Sequence, residues 1–96
     1  MATFEVAYIK EQGQDIIIVV VSPAVGKLGL QEQHRVHDSL QAAATSAGLA
    51  GSVALVWDAG NDQMGFLAPT EWNSYFQNLS LEIVSANINR KLIVSG

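Results

Sequence analysis

The sequence predicts an α+β fold. It is a two-layer sandwich in which an antiparallel or mixed sheet of about five strands, in the order ββαββαβ, carries two helices packed on one face. Three observations lead there. Strand-like segments come in two pairs, each joined by a short polar turn; each pair is followed by an amphipathic helical stretch; and a last β-branched run closes the chain. With 96 residues, 49% of them hydrophobic and 15% charged, the chain has the length and apolar content of a single domain over residues 1–96.

Thr3 to Ile9 alternates Phe4, Val6 and Tyr8 against Thr3, Glu5 and Ala7, the pattern of a strand with one buried face. The polar stretch Lys10 to Asp15, with Gly13 near its centre, returns the chain into the β-branched run Ile16 to Val21 and makes a hairpin. That run is apolar at every position, which places it at the sheet centre with both faces covered, or with one side sheltered by the domain's own helices and the other by a second body. Ser22-Pro23 ends it, and Ala24 to Gly29 reads as a loop. Leu30 to Ala47 is rich in helix formers and carries a stripe of Val36, Leu40, Ala43 and Ala47, with Gly48 placed to stop the helix. Ser52 to Trp57 and Gln63 to Ala68 make a second hairpin around the turn formers Asp58 to Asp62. Thr70 stands as N-cap of a second helix that presents Trp72, Phe76 and Leu79. A break near Ser80 follows, then Leu81 to Ser85 as a partner strand for a final strand over Lys91 to Ser95.

Nine acidic and five basic residues give a net charge of −4, and only Arg90 and Lys91 adjoin among the bases. Displacing counterions from nucleic acid needs several cations on one face, so this balance excludes that partner and suits a basic protein. The absence of cysteine removes disulfides, thiolate nucleophiles and cysteine-ligated zinc. Met1 to Val6 lacks the pattern of a signal peptide, and the run Ile16 to Val21 falls far short of the roughly 20 apolar residues that span a bilayer. The expectation is a cytoplasmic protein without a membrane partner. Low charge and the all-apolar run add the expectation of a homodimer.

His34, His37 and Asp38 form H-x-x-H-D on the first helix, a spacing that permits shared metal ligation, yet no further ligand accompanies them and the expected metal is none. Counted from Asp58, the segment Asp58-Ala59-Gly60-Asn61-Asp62 departs from a calcium loop at its third, sixth and twelfth positions and reads as a hairpin turn. Ser22 to Gly29 sits between strand and helix like a phosphate loop, but Val21 stands where its first Gly belongs and Leu28 where its hydroxyl belongs. No nucleophile, base and orienting acid emerge together, and no cofactor is implied. Trp57, Trp72, Tyr75 and Phe76 hold most of the aromatic content; Trp57, Trp72 and Tyr75, with His37, are the candidate ligand-binding residues. The expected function is a small binding or protein-interaction module. Its competitors are a ligand binder or small enzyme with a pocket near Trp57, Tyr75 and His37, and an acidic inhibitor or immunity-type protein using Glu5, Glu11, Asp15, Asp58 and Asp62.

Overall fold

Two residues decide the first reversal of the chain. Gln12 and Gly13 both lie in the left-handed region, at φ 53° and 78°, as a two-residue type I′ connection requires. They join β1 (Ala2–Glu11) to β2 (Gln14–Val20) as an antiparallel hairpin with Glu11 opposite Gln14. The structure, a computed structural model, describes residues 2–61 and 63–94. After β2 come a 3-10 turn at Pro23–Lys27, α1 (Leu30–Ser46), β3 (Ser52–Gly60) and β4 (Gln63–Leu67). A second 3-10 turn at Thr70–Trp72 leads into α2 (Asn73–Gln77), α3 (Leu81–Ala86) and β5 (Arg90–Val94). The sheet runs β4-β3-β2-β1-β5, with β2 and β3 parallel and every other pair antiparallel. The mixed five-stranded sheet and the α+β class are those the sequence predicts. Among the described residues no helix is long and apolar enough to cross a membrane.

The placement of the helices differs from the expectation of one covered face. Ile17 and Val19 of β2 pack with Leu40 and Ala44 of α1, whereas Ile16 and Ile18 pack with Trp72, Phe76 of α2 and Val84 of α3. Helices therefore cover both faces, giving three layers. The reason is topological. α1 is the crossover between the parallel neighbours β2 and β3 and occupies one face. β4 and β5 lie at opposite edges, so the chain joining them must cross the sheet, and it does so over the face α1 leaves open. The apolar run of β2 is thus roofed on both sides by its own chain, and the side expected to shelter against a second body is covered by Trp72, α2 and α3.

Other differences are local. Residues 81–86 form a helix rather than a strand, because Ser80 caps it: its Oγ accepts the Ile83 N–H at 3.3 Å, and Val84 is buried. β5 pairs instead with β1, Leu92 opposite Phe4; Ser95, expected in this strand, lies outside the described residues, as does Asp62 of the β3–β4 turn. Thr70 makes no cap bond and sits in the 3-10 turn, where the Trp72 N–H donates to the Pro69 carbonyl at 2.9 Å. The segment after Pro23 is a 3-10 turn and not a plain loop, with Ser22 Oγ accepting the Ala24 N–H. On α1, Leu40 and Ala44 are buried and Ala47 is exposed.

Side chains extend the sheet where strands run out. β4 pairs with β3 only as far as Leu55; beyond it the Val53 N–H donates to Gln41 Oε1 and the Val53 carbonyl accepts from His37 Nε2, each at 2.8 Å. At the opposite side Asn89 continues the β5 ladder, its Oδ1 accepting the Tyr8 N–H and its Nδ2 donating to the Tyr8 carbonyl, both at 2.9 Å. The Tyr8 hydroxyl in turn accepts the Ala50 N–H, and the Arg90 guanidinium lies 5.8 Å from the Tyr8 ring centroid. Each such bond contributes about 0.5–1.5 kcal/mol. Asn89→Ala is expected to lower stability by about 1–3 kcal/mol in urea unfolding, roughly twice the loss from Asn78→Ala, whose side chain makes one bond. Equal losses would deny Asn89 its role as a strand extension.

Candidate functional site

The period of two along β1 places Glu11 on the same face as Ala7 and Ile9, and β2 places Gln14 on the same face as Ile16 and Ile18. This is the face that α2 and α3 cover. Where the hairpin ends, its apolar pairs give way to the polar pair of Glu11 and Gln14, and the covering layer meets it with Glu71, Trp72, Ser74, Tyr75 and Asn78. Together with Gln12 these residues line an open groove of about 460 Å³.

Its apolar part belongs to an aromatic chain that begins in the core. Phe66 of β4 stacks on Phe76 at 5.5 Å between ring centroids, Phe76 meets Tyr75 edge-to-face at 5.4 Å, and Tyr75 meets Trp72 edge-to-face at 5.6 Å. Trp72 and Phe76 are buried and Tyr75 is half-buried, so the series runs from the interior to the groove wall. Burial raises the Tyr75 phenol above its ordinary value, and the neighbouring Glu11 carboxylate raises it further. Among the described residues neither Glu11 nor Glu71 has an ion-pair partner. On the α2 wall the Asn78 Nδ2 donates to the Ser74 carbonyl at 2.9 Å, which orients the carboxamide.

Of the four candidate residues, the structure brings Trp72 and Tyr75 together and sets Trp57 and His37 apart from them. Trp57 shares the α1 face of the sheet with Val53 and Leu55. Its indole lies between Gly26 and Gly65, and a Cβ on either glycine would overlap the ring. His37 is half-buried on α1. Because the Val53 carbonyl can only accept, the ring carries a hydrogen on Nε2; its Nδ1 lies 3.2 Å from Asp38 Oδ1. With His34 it lines a separate small cleft of about 130 Å³ against Leu67, Ala68 and Pro69. Among the described residues no three His, Asp or Glu side chains are grouped to hold a metal ion.

Sequence reasoning missed the groove's polar wall, Gln12, Gln14, Glu71 and Asn78, and assigned Glu11 to a different reading. Period-2 counting puts Glu11 and Gln14 side by side, but their meeting with α2 follows only once that helix is known to cross this face. Compared with protein-family models, curated proteins and solved structures, the chain matches none.

The position of Tyr75 carries a pH dependence. Its folded-state pKa stands above the unfolded value of about 10, so the folded protein keeps this proton when the unfolded chain has lost it. The contribution is fully present below about pH 10 and is lost as pH rises through the folded-state pKa. Melting temperatures between about pH 8 and pH 11 are expected to fall less in Tyr75→Phe than in the unmodified protein. Parallel curves would place the phenol in a water-like setting.

Proposed function

We propose that this protein is a small binding module that presents the Trp72–Tyr75 groove to a partner and works by recognition rather than turnover. One observation carries the reading: half-buried Tyr75, packed against buried Trp72, stands in an open concavity whose other walls are carboxylates, carboxamides and Ser74. Aromatic surface with a few converging polar groups is the usual make-up of a binding site. It draws Trp72 and Tyr75 from the pocket reading and Glu11 from the acidic one. A cytoplasmic setting suits a chain without cysteine, which has no disulfide to lose there.

The experiment is a fragment screen on the isotopically labelled protein, using neutral, anionic and cationic compounds and reading amide shifts. The expected shifts gather on Gln12, Gln14, Tyr75 and Asn78. Shifts gathering on His34 and Leu67 instead would move the site to the other cleft, and no shifts at all would remove the module reading.

A second reading, self-association, is favoured by Ile93, which is 59% exposed on the edge strand β5. A free strand edge beside an exposed isoleucine is a surface on which two copies pair. Sedimentation equilibrium up to about millimolar protein is then expected to detect a dimer that Ile93→Lys abolishes. A monomer throughout that range would exclude this reading and leave the groove untouched.

A further inference from the structure

We propose that the groove receives the guanidinium group of an arginine side chain carried by a partner protein, an assignment that rests on the module reading above. Two carboxylates meet in the groove from different elements, Glu11 at the end of β1 and Glu71 in the 3-10 turn before α2. No Lys, Arg or His lines it, and neither carboxylate is ion-paired among the described residues. An anion there would face two like charges, and a neutral group would shed water from both carboxylates without replacing it. A cation meets neither cost.

The remaining lining chooses among cations. Gln12, Gln14 and Asn78 add carboxamides around the same space, and Tyr75 adds a half-buried ring. A guanidinium is planar, offers five N–H donors in a fixed fork, and stacks on aromatic rings. It can therefore bond a carboxylate bidentately while another face lies on Tyr75. An ammonium is a compact, strongly hydrated point charge and gives up more water for fewer directed bonds. At about 460 Å³ the groove admits a side chain together with a short stretch of backbone. The net charge of −4 favours encounter with a basic partner.

The test titrates the full chain with capped pentapeptides of glycine carrying arginine, lysine or norleucine at the centre, read by amide shifts at Gln12, Gln14, Tyr75 and Asn78. The arginine peptide is expected to give saturable shifts, with lysine at least about threefold weaker and norleucine silent. Glu11→Gln and Glu71→Gln are each expected to weaken the arginine peptide about fivefold, as is raising the salt from about 50 mM to about 500 mM. An arginine peptide without effect up to about 20 mM, a norleucine peptide that binds as well, or full affinity in both Gln variants would overturn the assignment. Lysine equal to arginine would overturn the choice of guanidinium. If neutral or anionic fragments occupy the groove while the arginine peptide does not, the module reading stands and this one falls; if nothing occupies it, both fall.

Discussion

Everything in this fold answers to one strand that cannot meet water on either face. Ile16, Ile17, Ile18 and Val19 of β2 are all buried, alternate residues pointing to opposite sides of the sheet. Burying each side chain contributes about 1.5–3 kcal/mol, and the contribution of two of the four would be lost if either face stayed bare. α1 supplies one roof as the crossover to β3. The other falls to the chain between β4 and β5, and the sheet order that puts those strands at opposite edges makes that chain cross where cover is needed. Strand order and strand composition thus require the same third layer.

The layer is built from short pieces, and this has consequences. α2 and α3 are five and six residues long, below the length at which a helix holds itself in water. Their positions depend on what they bury, Phe76 for α2 and Val84 for α3, with Trp72 anchoring the turn between β4 and α2. The same economy appears at the sheet's margins. Gln41 and His37 serve Val53 where β4 has ended, and Asn89 serves Tyr8 where β5 has not begun. Backbone groups left open beside a hydrophobic layer need partners, and side chains provide them without another strand.

Much of this was readable from the residues. The two hairpins, the stop at Gly48, the span of α1 and the central place of Ile16 to Val21 all follow from period, turn chemistry and propensity, which are local signals. What failed was decided at long range. Leu81 to Ser85 carries an apolar pattern that strand and helix share, and the cap by Ser80, in company with the burial of Val84, settles it as helix. Counting helices per face requires the sheet order, which no local pattern contains. The scattering of Trp57 and His37 away from Tyr75 has the same origin. Residue type groups both with it, yet the alternation of β3 and the placement of α1 put Trp57 and His37 on the other face of the sheet from Trp72 and Tyr75.

The groove lies where two of these constraints meet. Along the α2 face of β2 the side chains pass from Ile18 and Ile16 to Gln14, and along β1 from Ala7 and Ile9 to Glu11, so the core turns polar at the hairpin end. Tyr75 stands at that boundary, one edge-to-face contact from buried Phe76 and lining the same concavity as Glu11. A helix of five residues held by Phe76 cannot shift without moving Tyr75. The geometry of the groove is therefore set by core packing and not by the flexibility of a loop, and a ligand that settles against Tyr75 stabilises the packing of the layer that built the site.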